Sequence, residues 1–260
     1  MTNIEDKLYY TREGQEVRGT IVLLHGFLGS SKIWEALIPY FKKEYLILNI
    51  DLPGHGHSGC IQETIEMSFC ADKVLELLAD ENVKSAHIVG HSMGGYVGLE
   101  ILNKQPSVVN SLTLFNSTAT DDNPQKRKDR LLAVKVFDRS PEVFIQAAIE
   151  NLFYKPNLKR FKADVEALQA IALQTPIAGA QGSLRGMRVR SNHVELIKAN
   201  EKRIHITAGK FDNTVLYDSI LTQTRGTEIT LTSLDSGHMG FAESAEESRD
   251  AMIKFIKQHS

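Results

Sequence analysis

Short apolar runs alternate with helix-like patterns along most of the chain. The runs TIVLLH at 20–25 and YLILNI at 45–50 are nearly continuous in apolar residues, which is typical of strands buried on both faces of a parallel sheet. Further strands are predicted at 86–89, 112–115, 204–208 and 229–234, with an opening strand pair around Gly14 at 7–12 and 16–17. Helical spacing predicts helices at 31–43, 64–82, 93–105 and 245–259. This alternation indicates βαβ units and therefore an α/β fold with a mostly parallel sheet.

The middle of the chain departs from this alternation. Residues 117–192 show helical patterns, punctuated by Pro141, Pro156 and Pro176, and no convincing strand. We interpret this segment as a helical cap, or lid, over the C-terminal edge of the sheet. The α/β core would then be built from residues 1–116 and 193–260.

Composition narrows the class of protein. The chain has 260 residues, 42% of them hydrophobic and 24% charged, as in ordinary globular domains. A net charge of −2 gives no reason to expect a nucleic-acid partner. The N-terminus lacks a signal-peptide pattern, and no apolar stretch reaches membrane-spanning length. With only Cys60 and Cys70, which form neither a disulfide framework nor a zinc set, we expect a cytoplasmic protein with reduced thiols.

A G-x-S-x-G pentapeptide lies at 90–94, between the predicted strand 86–89 and the predicted helix that follows. Strand, sharp turn and helix are the setting of a nucleophile elbow, which lifts the serine hydroxyl clear of the sheet. Gly90 and Gly94 fit this turn because a Cβ at either position would clash across it. The pattern makes Ser92 the candidate nucleophile. The alternative is a plain glycine-rich turn with Ser92 as the helix N-cap.

A second glycine-containing loop, HGFLG at 25–29, follows the strand 20–25. A loop at this edge can aim a backbone N–H at the point that the amide after Ser92 also faces. Two such donors form an oxyanion hole. The predicted donors are the amides of Phe27 and Met93.

The segment DLPGHGHS at 51–58 contains an aspartate and two histidines, which suggests a metal site. The ligand set expected of a binuclear zinc hydrolase is incomplete here, because Ser58, Gly59 and Cys60 follow His57. We therefore predict a loop ordered by side-chain hydrogen bonds, with no metal and no organic cofactor.

Two further polar residues follow strands later in the chain. Asp212 comes after the strand 204–208, and His238 comes after the strand 229–234. The chain order serine, acid, histidine is the one that serine hydrolases with this type of sheet use. Sites on open α/β sheets lie beyond the carboxyl ends of the strands. Asp121 and Asp122, after the strand 112–115, are the alternative acids.

Together, the motifs HGFLGS, DLPGHGHS, GHSMGG, GKFD and SGH resemble those of the α/β-hydrolase superfamily, over about residues 20–238. The resemblance implies a sheet of about eight strands flanked by helices, with a cap inserted after the sixth. It also implies Ser92 as nucleophile, His238 as base and Asp212 as orienting acid. The activity it favours is carboxylesterase-type hydrolysis of a small-molecule ester or thioester through an acyl-enzyme.

Two alternatives stay open from the sequence. The first is a carbon–carbon bond hydrolase or lyase with the same triad, which would need arginines such as Arg185, Arg188 or Arg190 to hold a substrate carboxylate. The second is a non-catalytic binding protein on the same fold. Residues that could line a substrate pocket are Trp34, Phe144, Phe153, Tyr154 and Arg188.

The predicted cap is basic, although the whole chain is slightly acidic. Residues 117–190 carry 13 lysines and arginines against 8 aspartates and glutamates, a net charge of +5. Such an excess is typical of a solvated helix face. It also suggests a second hypothesis, a cap that attracts anionic substrates.

Overall fold

A seven-stranded sheet forms the centre of the computed structural model, which describes residues 7–60 and 62–260. Its spatial order is β1-β3-β2-β4-β5-β6-β7, and every neighbouring pair is parallel except β1 with β3. The strands are β1 (Tyr10–Gly14), β2 (Thr20–Leu24), β3 (Leu46–Ile50), β4 (Ala86–His91), β5 (Val109–Phe115), β6 (Ile204–Gly209) and β7 (Thr230–Leu234). The predicted α/β fold with a mostly parallel sheet is confirmed.

Helices cover the sheet and fill the interval between β5 and β6. They are α1 (Met67–Asp80), α2 (Met93–Lys104), α3 (Pro124–Arg139), α4 (Pro141–Leu152), α5 (Lys162–Ala172), α6 (Ile177–Arg188), α7 (Val194–Ala199), α8 (Tyr217–Thr224), α9 (Gly240–Glu243) and α10 (Ala245–Gln258). Within the described part of the chain, no helix combines the length and the apolar character needed to cross a bilayer.

The sheet is buried on both faces, which explains the nearly continuous apolar strands. In β2, Val22 and Leu24 belong to the larger hydrophobic cluster, which α1 and α2 help to form. Ile21 and Leu23, which point to the opposite face, belong to a second cluster that includes Trp34. All five residues are almost completely shielded from solvent.

Helices α3 to α6 form a helical insertion between β5 and β6, with its own apolar cluster. Phe137, Ile145 and Ile149 lie at the centre of that cluster, and Leu28 and Met239 from the core pack into it. The insertion therefore shares a hydrophobic contact with the loops at the carboxyl end of the sheet. Those are the loops that carry the candidate catalytic residues.

Several predicted elements differ from the structure. The sheet of the described residues has seven strands rather than about eight. No strand forms at 16–17, where Val17 is largely exposed, and β1 pairs with β3 instead. The helix expected at 31–43 is replaced by two 3₁₀ turns, Ser31–Trp34 and Ile38–Tyr40. Pro39 explains this break, because its ring removes a backbone donor and disfavours a continuous helix.

Candidate active site

Ser92 occupies the sharp turn between β4 and α2. Its backbone angles, φ 49° and ψ −113°, lie in a region that L-residues rarely adopt. The turn is also crowded, because a Cβ on Gly90 would lie 2.3 Å from the carbonyl oxygen of Gly94. The Ser92 amide donates to the Phe115 carbonyl at 2.9 Å, and the Ser117 hydroxyl donates to the Ser92 carbonyl at 2.7 Å. These bonds to the end of β5 hold the strained residue in place.

His238 and Asp212 form a buried pair at the same edge of the sheet. His238 Nδ1 lies 2.7 Å from Asp212 Oδ2, and both side chains are almost completely shielded from solvent. The other carboxylate oxygen accepts the amides of Thr214 and Val215 at 2.8 and 2.9 Å. Burial alone would raise the pKa of Asp212, but His238 and these two amides more than compensate and hold it below its usual value. An ionised Asp212 requires the proton on Nδ1 and leaves Nε2 of His238 free to accept one.

Asn116 is a third member of this network that sequence reasoning did not identify. Its side-chain nitrogen lies 3.3 Å from Asp212 Oδ2 and 3.2 Å from the Gly237 carbonyl oxygen. Its φ of 44° turns the chain sharply at the end of β5. The signal available in the sequence was an asparagine directly after a buried strand, a position from which a short polar side chain reaches the site edge.

The loop that carries His238 is anchored to the helical insertion. The His238 amide donates to the carbonyl of Leu152, at the end of α4, at 2.7 Å. The Glu243 carboxylate accepts the amide of Gly237 at 2.8 Å and the amide of Tyr154 at 3.1 Å. Glu243, which sequence reasoning also missed, thereby links the histidine loop to the segment after α4.

The loop after β2 packs directly against the nucleophile turn. A Cβ on Gly26 would lie 2.5 Å from His91 Nδ1 and 3.3 Å from Ser92 Cβ, so only glycine permits this approach. Across the described residues, the amides of Phe27 and Met93 find no hydrogen-bond acceptor. One of these free N–H groups lies on the loop after β2 and the other at the first residue of α2, and an oxyanion hole requires two such donors beside the nucleophile.

Hydrogen bonds order the loop at 51–58. Asp51 accepts the amides of Ser31 and His57 through its two oxygens, at 2.6 and 2.8 Å. His25 accepts the Leu52 amide at Nε2 and faces the Gly26 carbonyl at Nδ1, so both ring nitrogens are used. Within the described residues, no group of three or more potential metal-binding side chains is found.

His91, which precedes the nucleophile, contacts the histidine loop. Its Nε2 donates to the carbonyl oxygen of His238 at 3.2 Å, and the two rings lie 5.0 Å apart. Burial, reinforced by the neighbouring His238, lowers the pKa of His91 to about 3. The ring is therefore neutral at ordinary pH and adds no charge beside the base.

Ser92 and His238 line one small cavity of about 110 Å³. Its apolar wall combines Phe27 and Leu28 with residues of the insertion, namely Ala148, Ile149, Leu152 and Met187. No hydrogen bond joins the Ser92 hydroxyl to the His238 ring among the described residues, and such contacts are often loose without substrate. The volume is smaller than the ~150 Å³ that admits a benzene molecule.

The five side chains predicted for the pocket lie outside this cavity. Trp34 packs in the core against Phe115 and Phe241, and Phe153 lies in the apolar cluster of the insertion. Full burial of these large rings is favourable because it removes their apolar surface from water. Phe144 lines a neighbouring cleft, and the ring of Tyr154 stacks on that of Phe211 with 4.0 Å between the ring centroids. The buried Nε of Arg188 has no hydrogen-bond partner among the described residues.

The two alternative acids are held in ion pairs with arginines, and Arg185 and Arg190 of the candidate arginines also have partners outside the Ser92 cavity. Asp122 is buried and bonds the guanidinium groups of Arg130 and Arg190, while Asp121 pairs with Arg127 at 2.8 Å. Arg190 also stacks on the Tyr96 ring at 4.1 Å. Arg185 donates to the Glu63 carbonyl. Neither Arg185 nor Arg190 lines the Ser92 cavity, so the structure offers no support for their binding a substrate there.

Comparison with known proteins identifies the family of the chain. The family described as "alpha/beta hydrolase fold" matches residues 19–155, which include the elbow and more than half of the chain. The chain belongs to the alpha/beta hydrolase fold family. In this chain, the candidate nucleophile Ser92 follows β4 and the candidate base His238 follows β7, at the carboxyl ends of their strands.

Two curated relatives and one solved structure illustrate the likeness. The acetyltransferase component of the acetoin cleaving system of Pseudomonas putida is 27% identical over 95% of this chain and 65% of its own length. A pimeloyl-[acyl-carrier protein] methyl ester esterase of Methylococcus capsulatus is 37% identical over 38% of this chain and 37% of its own length. The chain thus spans less than two thirds of either relative.

A thermophilic esterase from Thermogutta terrifontis superposes with a TM-score of 0.90, covering 97% of this chain and 93% of that one. Its sequence identity is 22%, so this likeness concerns the fold.

Proposed function

We propose that this protein is a serine hydrolase that cleaves a small-molecule carboxylic ester or thioester. The observation that carries the proposal is the buried hydrogen bond between Asp212 and His238, beside a cavity that also exposes Ser92 on a strained turn. The esterases among the chain's relatives and structural neighbours support the same reaction class.

The mechanism is a two-step acyl transfer. His238 Nε2 takes the hydroxyl proton as Ser92 Oγ attacks the carbonyl carbon, and Asp212 stabilises the imidazolium that forms. The amides of Phe27 and Met93 donate to the tetrahedral oxyanion, each contributing roughly 3–4 kcal/mol to transition-state stability. His238 then protonates the leaving group, and water, deprotonated by the same ring, releases the acyl group from Ser92.

The helical insertion has the role of a lid in this proposal. Ile149, Leu152 and Met187 contribute its wall of the cavity, and the bond from the His238 amide to Leu152 ties the lid to the base. Because this wall keeps water out of the cavity, the hydrogen bonds to the oxyanion are stronger than they would be in solvent. The cavity is lined by residues of the insertion together with residues of both core segments, such as Ser92 and His238, which supports this role.

Replacing the nucleophile tests the proposal. With p-nitrophenyl acetate, whose acetyl group suits the small cavity, Ser92→Ala should lower kcat by about 10⁶. Wild-type protein should also gain one covalent fluorophosphonate label, located at Ser92 by peptide mass spectrometry. The folded state should persist, because this side chain fills no part of the hydrophobic clusters.

Ser85 provides the matched control, since it lies at the opposite end of β4. Ser85→Ala should hydrolyse the ester as wild type does and take up the same label. If purified Ser92→Ala keeps a tenth of the wild-type activity, the proposal fails. If Ser92→Ala loses both the label and the activity of the wild type, the protein is an enzyme with a serine nucleophile and not a binding protein on the same fold.

A further inference from the structure

The small cavity adjoins a second, larger space. A cleft of about 760 Å³ lies between the insertion and the loop after Asp212. Lys126, Arg130 and Thr214 line both the cleft and the Ser92 cavity. A substrate whose acyl group occupies the apolar cavity therefore has room for its remaining part in the cleft, past these three residues.

The charge of the two spaces differs. The cleft is lined by three cationic and three acidic side chains, so its overall charge is balanced. The cavity is lined by the cations Lys126 and Arg130, and none of its described lining residues carries a carboxylate. The positive charge is thus concentrated where the two spaces meet.

Arg130 is only partly neutralised by its ion pair. Its guanidinium bonds Asp122, but the same carboxylate also bonds Arg190. One buried carboxylate shared between two guanidinium groups leaves this cluster with a net charge of +1. The cluster provides a favourable field at the junction, while its hydrogen-bonding groups are largely committed to Asp122 and neighbouring backbone.

Lys126 is the cation with free donors. Its Nζ donates to the Thr214 carbonyl at 2.7 Å, and among the described residues no carboxylate pairs with it. An ammonium group has three donors, so two remain for a ligand. The side chain is half-buried, where a charged hydrogen bond is weakened less by solvent than at a fully exposed site.

We propose that the substrate bears a carboxylate on its leaving group, and that Lys126 Nζ binds this carboxylate at the junction of cavity and cleft. The inference rests on the proposed ester hydrolysis and adds a substrate class to it. Lys126 is then a specificity-determining residue, while the more exposed basic residues of α3, such as Lys128, act as a solvated face.

The test uses two acetyl esters of equal shape and different charge, 4-acetoxybenzoate and its neutral amide 4-acetoxybenzamide. Their kcat/KM ratio isolates the charge of the leaving group, because the acyl group is the same. Wild type should prefer the acid by about tenfold or more, as expected for a hydrogen bond between charged groups. Lys126→Met should bring the ratio close to one, and Lys126→Arg should retain the preference.

Lys128→Met is the matched control, because Lys128 lies on the same helix and lines neither space. It should keep the wild-type ratio. A purely structural role of Lys126, acting through Thr214, would lower both activities equally and leave the ratio unchanged. An unchanged ratio in Lys126→Met therefore overturns the proposal, as does a wild-type protein without preference.

Equilibrium binding separates this inference from the proposed function. The amide analogues 4-acetamidobenzoate and 4-acetamidobenzamide keep the shape but resist ester hydrolysis, so calorimetry on wild type measures binding alone. Tighter binding of the carboxylate, weakened at high salt, supports the inference even if no ester is hydrolysed. Equal affinities of wild type for the two analogues overturn it, whether or not Lys126→Met folds.

Discussion

At the scale of single residues, the state of His238 is set by its neighbours. Asp212 accepts a hydrogen bond from Nδ1–H of His238 at one oxygen and bonds from the amides of Thr214 and Val215 at the other. The side chain of Asn116 adds a longer hydrogen bond to the first oxygen. Each contact favours the ionised carboxylate and hence one ring tautomer. The acid thus acts by fixing which nitrogen of the imidazole meets the substrate.

Asp212→Asn should lower kcat for p-nitrophenyl acetate by about 10⁴, because an amide in this position favours the wrong tautomer of His238. Asp235→Asn, an exposed acid directly after β7, is the control and should retain activity. Steady-state kinetics on the two variants decides the assignment. A larger loss in Asp121→Asn or Asp122→Asn than in Asp212→Asn would show that the acid has been misassigned.

At the scale of elements, the insertion depends on one glycine-lined helix. Gly179, Gly182 and Gly186 share a face of α6, and a Cβ on Gly186 would lie 1.7 Å from the Ile65 carbonyl oxygen. The Ile65 amide in turn donates to the Gly182 carbonyl at 3.0 Å. Backbone therefore packs on backbone where the insertion meets the loop before α1.

Gly186→Ala should destabilise the protein by about 2–3 kcal/mol, since the added methyl group forces this contact apart. Helix propensity alone would stabilise the variant by up to about 1 kcal/mol, so the sign of the change is diagnostic. Urea unfolding measures it. Ala178→Gly, at an exposed position of the same helix, should cost no more than about 1 kcal/mol, and an equally or more stable Gly186→Ala would contradict this packing.

At the scale of the whole molecule, several histidines are buried in the neutral form. Burial lowers the pKa of His55, His91 and His205 to about 3, and it also lowers the pKa of His25. In the unfolded chain these rings have a pKa of 6.5. Below that value the unfolded state binds protons that the native state does not, so stability falls as pH decreases.

The free energy of unfolding should therefore be level near pH 8 and fall steadily between about pH 6.5 and pH 3. Uptake of two to four protons on unfolding corresponds to a slope of roughly 3–5 kcal/mol per pH unit. Urea titrations at pH 8, 6.5, 5.5 and 5 give the slope. A free energy of unfolding that is constant from pH 7 to pH 5 would mean that these rings do not stay neutral in the native state.

Local patterns in the sequence were enough to predict the buried strands, the elbow at Ser92 and the edge of the sheet where Asp212 and His238 lie. Strand–turn–helix geometry and the burial of a parallel strand depend on residues close together in the chain, so motifs record them. The helix predicted at 31–43 was wrong although Pro39 was a local signal against it, because the prediction followed the apolar spacing instead.

Only the tertiary structure decided which side chains meet across long separations. Asp122 and Arg190 are 68 positions apart in the chain and form an ion pair in the structure. The sequence had suggested one as an alternative catalytic acid and the other as a substrate-binding arginine. In the sequence, Lys126 was one of the basic residues of 117–190, and only the fold placed it at the cavity, where no carboxylate among the described residues pairs with it. Pairing and pocket lining follow from how helices and loops pack, and periodicity along the chain does not encode that packing.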